Sequence, residues 1–342
     1  MKASVSWRTL HFKQPATTSR GMYTMHTSYY VTLEREGVCG VGECSPLPDL
    51  SCDALPHERY LSILQHAANQ VAMTGRVPKE THPFPSMRFG LETALRSLAT
   101  GGNAALSDTP FAHGQQGIPI NGLVWMGTYD EMMTRLEEKL NNGYRCVKLK
   151  IGAIDWEREE SLIARVRQHF GHEQVELRVD ANGGFRNDEA LDRLRTLAAY
   201  DIHSIEQPIR QGQWAEMAEL CRQNILPIAL DEELIGINDS TQKAALLDTI
   251  RPQYIVLKPS LHGGFEGTRE WVHLAQQQHI GSWITSALES NIGLNAVAHL
   301  CAELYGPNII MPQGLGTGML YSDNIEMPLH IKEDRLWFLP NS

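Results

Sequence analysis

The 342-residue chain lacks the features that mark several classes of protein. It has no basic cluster, and its formal net charge of −10 disfavours nucleic acid or an anionic membrane surface as a partner. No apolar run approaches the length of a membrane span, and residues 1–10 lack the apolar core of a signal peptide. We therefore predict a soluble, cytoplasmic protein that acts on a small molecule, and the sequence leaves its oligomeric state open.

Two further motifs are missing. The six cysteines include no C-x-x-C pair and three lie in apolar stretches, which favours reduced thiols over a disulfide framework. No G-x-G-x-x-G follows a predicted strand, so a dinucleotide-binding crevice has no support.

Residues 1–115 have the pattern of a small α+β capping domain. Strand-like runs joined by a hairpin at residues 34–37 precede helical patterns, the stronger of which begins near Ser86. We predict a loop over residues 14–21, because that stretch is polar and irregular, and a second loop over residues 45–50.

The sequence pattern of residues 116–318 predicts an α/β fold, namely a modified β/α barrel of the TIM type. Short apolar runs alternate there with amphipathic helical patterns, although a doubly wound open sheet could be built from the same alternation. The eight runs are 119–124, 147–151, 175–179, 202–205, 227–230, 254–257, 282–285 and 308–311. We expect residues 319–342 to form a tail that packs back on the capping domain.

The second of these runs carries two lysines, Lys148 and Lys150. Alternate side chains of a strand share a face, so the two ammonium groups point the same way. Burial and like charge would favour the neutral amine, which a lysine needs to accept a proton near neutral pH. An exposed edge strand with solvated lysines is the alternative for this motif alone.

Charged residues close four successive strands at nearly equal intervals: Asp180, Glu206, Asp231 and Lys258. The carboxyl ends of barrel strands lie around one ring, so we expect these groups to converge on one pocket. Singly, each acid could be a helix cap or a salt-bridge partner. Three carboxylates together favour a hard divalent cation such as Mg²⁺, and a carboxylate bound to it would have an acidified neighbouring C–H.

In order, the chain carries K-x-K at 148–150, D-x-N at 180–182, I-E-Q-P at 205–208, D-E at 231–232 and L-K-P at 257–259. With these motifs nearly the whole chain resembles the enolase superfamily, in its muconate-lactonizing-enzyme subgroup. The resemblance implies an enolase-like fold and a site in which a lysine base works beside Mg²⁺. The sequence leaves open whether Mn²⁺ can substitute.

The resemblance also assigns roles to the residues of the predicted pocket. Lys150 would be the base, Lys148 would add positive charge beside it, and Lys258 would stabilise an anionic intermediate from the opposite side. The implied metal ligands are Asp180, Glu206 and Asp231. The implied substrate-binding residues are Arg178, Asn182, Ser290, Gly314 and Arg20. For Arg178 a structural ion pair inside the barrel is the alternative, and for Arg20 a simple surface loop.

Residues 286–294 and 314–317 resemble the dehydratases of this subgroup. These enzymes of menaquinone biosynthesis remove water from a carboxylate substrate, 2-succinyl-6-hydroxy-2,4-cyclohexadiene-1-carboxylate. Dipeptide epimerases carry an acidic D-x-D at the end of the eighth strand, whereas residues 312–316 here include no acid. The alternatives are an N-acylamino acid racemase or dipeptide epimerase and, much less favoured, a metal-binding barrel without turnover.

Overall fold

The computed structural model describes residues 1–18, 21–125, 127–152 and 155–340. Its N-terminal part is a three-stranded antiparallel sheet, in the order β1-β2-β3, with two helices packed against it. These elements are β1 (Lys2–Thr18), β2 (Gly21–Arg35), β3 (Val38–Cys44), α1 (His57–Thr74) and α2 (Pro85–Ala99). The sheet and helices enclose a hydrophobic core of their own.

Glycines allow α2 to lie directly on the sheet. A Cβ added to Gly42 in β3 would lie 1.9 Å from the carbonyl oxygen of Gly90 in α2. A side chain at residue 42 would therefore force helix and strand apart.

The loop predicted over residues 14–21 is wrong for the part that the structure describes. β1 continues to Thr18, and Ala16 pairs with Tyr23 after a register shift that follows His11. Cross-strand backbone hydrogen bonds hold this stretch, and they do not depend on an apolar side-chain pattern. Ser19 and Arg20 lie outside the described residues. The loop predicted at 45–50 is confirmed, since that stretch has no helix or strand.

The rest of the chain forms the barrel. Seven parallel strands make one sheet in chain order: β5 (Gly122–Val124), β6 (Cys146–Lys150), β7 (Glu176–Asp180), β8 (Ser204–Glu206), β9 (Ile228–Leu230), β10 (Tyr254–Leu257) and β11 (Gly281–Ile284). The helices between and after them are α3 (Tyr129–Asn141), α4 (Trp156–His169), α5 (Asn187–Ala198), α6 (Trp214–Gln223), α7 (Ser240–Ile250), α8 (Gly264–Gln277) and α9 (Asn291–Tyr305). A large hydrophobic core joins the sheet to these helices.

The predicted eighth strand at residues 308–311 is wrong. The ring closes instead through isolated bridges, in which Gln313 pairs with Ile120 and Gly314 pairs with Thr285. Pro307 and Pro312 flank the predicted run and cannot donate backbone hydrogen bonds, and Ile310 within it is 91% exposed. Ile309 and Met311 pack against the core as partly buried side chains, so this run is apolar without pairing as a strand.

The C-terminal tail divides between two neighbours. Tyr321 pairs with Phe12 of β1, whereas the later hairpin of β12 (Leu329–Lys332) and β13 (Arg335–Phe338) pairs with β4 (Ile118–Pro119). The hairpin thus pairs with a strand of the predicted barrel, while the Phe338 ring also contacts the Phe111 ring within residues 1–115. The predicted domain bounds stay a prediction. No helix in the described ranges has the length and apolar character needed to cross a membrane.

Candidate active site

The register of the parallel sheet brings the predicted site residues to one level. Lys150 at the end of β6 is paired with Asp180 at the end of β7, and Asp180 is paired with Glu206 at the end of β8. Asp231 directly follows β9, and Lys258 directly follows β10. Five successive strands therefore end in a charged side chain at the same edge of the sheet.

The lysines and carboxylates of this edge form one ion network. Lys148 Nζ lies 3.1 Å from Asp180 Oδ2 and 3.0 Å from Glu206 Oε2. Lys150 Nζ lies 3.0 Å from Asp180 Oδ2, and Lys258 Nζ donates to Asp231 Oδ2. Each of the three acids is at most 2% exposed, so these contacts are weakly screened by water.

The expectation of a neutral amine is wrong for Lys148. Burial alone would lower the pKa of Lys148, but the carboxylates of Glu206 and Asp180 outweigh that effect and raise it above its ordinary value. The pKa of Lys258 is raised in the same way, because Asp231 outweighs the effect of burial. The facing acids, which the strand pattern of residues 146–152 does not include, reverse the predicted direction.

The three acids differ in their protonation behaviour. Burial, with a smaller contribution from the charge of Asp180, raises the pKa of Glu206 to about 8. Burial also raises the pKa of Asp231, although Lys258 opposes it. The pKa of Asp180 is lowered because Lys150 and Lys148 outweigh burial. Additional positive charge at this edge would let all three acids ionise together.

The acids fit a divalent cation in their chemistry. All three supply carboxylate oxygens, which hard cations prefer, and Oδ1 of Asp231 is buried without a hydrogen-bond partner. Within the described residues, no three His, Cys, Asp or Glu side chains are already arranged around a point where an ion could bind. The ammonium groups of Lys148 and Lys258 lie against the carboxylates instead, so a cation would have to replace their contacts.

A cavity opens above the ion network between the barrel and the capping domain. Its polar lining includes the three lysines and Asp180. Its apolar wall is formed by Leu47 and Leu50 of the loop at residues 45–50, here called the capping loop, together with Leu288 and Leu320. Water is therefore restricted on the side of the cavity that faces the capping domain.

Three aromatic residues that line the cavity were not predicted, namely Trp125, Tyr23 and Tyr144. Trp125 follows β5 directly, and the centre of its ring lies 6.0 Å from Lys150 Nζ. Tyr23 of β2 donates a hydrogen bond of 3.0 Å to Asp49 in the capping loop. The strand-end rule that found the acids could also have found Trp125, but nothing local in the sequence indicates that Tyr23 reaches the barrel.

Comparison with known proteins places the chain in a family. Residues 131–336 match the family model described as enolase C-terminal domain-like. The chain is 45% identical to the o-succinylbenzoate synthase of Desulfotalea psychrophila, over 97% of both proteins. The chain belongs to the o-succinylbenzoate synthase family of the enolase superfamily. Enzymes of this superfamily use a divalent metal ion, typically Mg²⁺.

Solved structures agree with this membership. The crystal structure of MenC from Desulfotalea psychrophila is similar over 98% of this chain and 99% of the MenC chain, with a TM-score of 0.84 and 41% identity. A substrate-liganded complex of the L-Ala-D/L-Glu epimerase from Bacillus subtilis has a TM-score of 0.83, but at 20% identity it shows the shared fold alone. The predicted enolase-like α/β fold is confirmed for this member of the synthase family.

Two of the substrate-binding residues predicted for this synthase-family chain line the cavity. Asn182 accepts a hydrogen bond of 2.7 Å from Lys150 Nζ and donates one of 3.0 Å to Glu232. Gly314 belongs to the bridge that closes the ring, where an added Cβ would lie 2.0 Å from Thr285 Oγ1. Their roles toward substrate stay predictions, and Arg20 lies outside the described residues.

Arg178 does not line the cavity, so its predicted place among the substrate-binding residues is corrected. Its guanidinium donates to Glu176 Oε1 at 2.7 Å and to the Pro312 carbonyl at 3.0 Å, and it stacks 4.5 Å from the centre of the Trp283 ring. These groups surround a side chain that is 1% exposed and does not line the cavity. The structural ion pair inside the barrel, the alternative given for Arg178, is what the structure shows.

Ser290 also requires a correction in this member of the synthase family. Its hydroxyl donates to Glu43 Oε2 at 2.5 Å and accepts from Ile292 N–H at the start of α9. The side chain is buried at the boundary of the two domains and does not line the cavity. Its position at the start of a helix explains its role, since serine is a preferred N-cap residue.

Proposed function

We propose that this chain catalyses the dehydration of 2-succinyl-6-hydroxy-2,4-cyclohexadiene-1-carboxylate to 2-succinylbenzoate in menaquinone biosynthesis. The observation that carries the proposal is the position of Lys150 and Lys258. They end the second and sixth barrel strands, on opposite sides of the ring, and each contacts one of the buried acids. Membership of the synthase family supports this choice of substrate.

We assign Asp180, Glu206 and Asp231 as ligands of Mg²⁺, with Mn²⁺ as a possible substitute. When bound, the cation supplies positive charge beside the ring carboxylate of the substrate and so acidifies the adjacent C–H. The six cysteines are free thiols, which agrees with the cytoplasmic location that we propose.

Lys150 carries the proton transfers in this proposal. As a neutral amine it takes the proton from the carbon next to the ring carboxylate, and the electron pair of that C–H bond enters the ring. The bond to the ring hydroxyl then breaks, and the Lys150 ammonium returns its proton to the departing oxygen, so that water leaves from the same face. Asn182 Oδ1, at 2.7 Å from Lys150 Nζ, orients the amine.

The other two lysines act through their charge. Lys258 faces the ring from the opposite side, and Lys148 lies beside the base, so both stabilise the anion formed when the proton leaves. Both ammonium groups lie at the same edge of the sheet as Lys150, beside the site acids. The aromatic product makes the loss of water favourable, so stabilising the intermediate is the main requirement.

Ultraviolet absorbance tests the proposal directly. Purified protein with Mg²⁺ should remove the diene absorbance of the substrate, and Lys150→Ala should abolish this activity. Lys332→Ala, which changes an exposed lysine of β12, is the matched control and should behave as wild type. Metal-dependent loss of diene at the wild-type rate in Lys150→Ala would remove Lys150 from the base role.

Racemisation of N-acylamino acids is a second candidate, because Lys150 and Lys258 could exchange protons at opposite faces of one carbon. Proton exchange into deuterated water distinguishes the two reactions. A racemase would exchange the α-proton of N-acylamino acids rapidly without using the diene, whereas the dehydratase would use the diene far faster.

A further inference from the structure

The cavity extends beyond the ion network through a gap in the barrel wall. Among the described residues, β5 is paired only with β6, and the ring closes below it through the bridge between Ile120 and Gln313. Above that bridge the cavity is lined by Asn121 and Leu123 on one side and by Gly316 on the other. Through this gap the cavity reaches helix α3, which packs outside β5.

Helix α3 contributes two cations to the cavity, Arg135 and Lys139. Arg135 donates to the Trp125 carbonyl at 3.1 Å, and its charge acts on Glu131. Lys139 differs from every other cation that lines the cavity in the described residues, since its ammonium makes no hydrogen bond or ion pair there. The ammonium lies 5.2 Å from the centre of the Tyr144 ring.

The Lys139 side chain is held in place and partly dehydrated. Its stem packs on Gly122, where an added Cβ would lie 3.1 Å from Lys139 Cγ and Cδ. Burial lowers the pKa of Lys139 from its ordinary value, because water solvates the ammonium poorly at this position. A carboxylate beside it would form a charge-assisted hydrogen bond and offset that loss of solvation.

The proposed substrate has two carboxylates, one on the ring and one at the end of the succinyl chain. The ring carboxylate belongs next to Lys150, since the proton to be removed is on the neighbouring carbon. Lys148, Lys150 and Lys258 all lie beside the site acids, at the end of the cavity where the ring carboxylate binds, so the second carboxylate needs a cation farther along the cavity. Lys139 meets this need at the end of the gap.

We infer that Lys139 binds the terminal carboxylate of the succinyl chain, which passes through the gap between β5 and the segment around Gly316. This assignment rests on the proposed function and makes Lys139 a residue that determines substrate specificity. Glu138 lines the same part of the cavity and opposes an anion, but it is exposed, so solvent screens its charge.

A pair of substrates tests the inference. The first is the proposed substrate, and the second carries a butanoyl chain that ends in a methyl group where the succinyl chain ends in a carboxylate. Wild-type protein with Mg²⁺ should prefer the first by roughly 10- to 100-fold in kcat/KM, the range of a charge-assisted contact in a partly buried site. Lys139→Met should lose this preference, because KM should rise far more for the proposed substrate than for the butanoyl compound.

Lys139→Arg retains the charge and should restore most of the preference. Lys332→Met is the matched control and should leave both rates as in wild type. Circular dichroism at 222 nm checks that Lys139→Met is folded, and calorimetric binding of 2-succinylbenzoate against 2-butanoylbenzoate gives the same comparison without turnover.

Three results would overturn the inference. Lys139→Met could slow both substrates equally, it could leave the preference intact, or Arg20→Met could remove the preference while Lys139→Met does not. Wild-type protein that converts neither compound would instead refute the proposed function and this assignment with it. Conversion of both compounds at equal rates would refute the carboxylate site alone.

Discussion

Glu43 provides a test of how the capping domain is attached to the barrel. This carboxylate of β3 is fully buried and accepts three hydrogen bonds from the start of α9. Ser290 N–H donates at 2.8 Å, the Ser290 hydroxyl at 2.5 Å and Gly293 N–H at 2.7 Å. The segment just before α9, residues 285–288, lines the cavity, so the same contacts hold one wall of the site.

Replacing Glu43 with alanine removes the acceptor for all three donors and leaves them buried. At about 1–1.5 kcal/mol for each lost hydrogen bond, the free energy of unfolding should fall by roughly 3–5 kcal/mol. Glu43→Gln should cost less, about 1–2 kcal/mol, because its carbonyl still accepts from Ser290 while its amide cannot accept from Gly293. The activity of both variants should also fall, because residues 285–288 should become less ordered.

Urea unfolding followed by circular dichroism measures these changes, with Glu173→Ala as the control at an exposed acid. The reasoning would be refuted if Glu43→Ala lowered the free energy of unfolding no more than Glu173→Ala does. It would also be refuted if Glu43→Gln lowered the free energy of unfolding as much as Glu43→Ala does, since the acceptor that glutamine retains would then contribute no stability.

Three further predictions concern single residues. Asp231→Asn should weaken Mg²⁺ binding by at least about 10-fold in calorimetry and reduce turnover in parallel; unchanged metal affinity would contradict the ligand assignment. Burial raises the pKa of Glu92 to about 7, so the folded state holds its proton more tightly than the unfolded state, and stability should fall as pH rises from 4.5 to 7. The free energy of unfolding of Glu92→Gln relative to wild type should therefore rise between pH 4.5 and pH 7 in urea unfolding, and a constant difference would refute this. Arg178→Met should lower the free energy of unfolding by roughly 3–5 kcal/mol; a raised KM with unchanged stability would restore the substrate-binding role.

The repeating parts of the fold could be predicted from the sequence. Short apolar runs alternate with helical patterns because each barrel strand is buried and each helix has one buried face, and seven of the eight predicted strands are present. The eighth failed because an apolar run between two prolines satisfies the same local pattern without pairing. Closure at Gln313 and Gly314 depends on residues distant in sequence, Ile120 and Thr285.

The charge state of the site could not be predicted from its strand. Lys148 and Lys150 share a face, as predicted from the alternation of side chains. The pKa of Lys148 is nevertheless raised, because Glu206 on β8 and Asp180 on β7 outweigh the effect of burial. Through-space charges of this kind are fixed only when the sheet register is known.

The sequence by itself determined the alternating pattern, the acid at the end of each of three strands and the lysines on either side of them. These features can be read from local periodicity, which locates the strand ends, and the carboxyl ends of successive parallel strands lie at the same edge of the sheet. Only the tertiary structure decided that Arg178 points into an ion pair, that Ser290 turns to Glu43 and that Lys139 reaches the cavity. The physical reason is that the direction and partner of a side chain depend on packing between segments far apart in the chain.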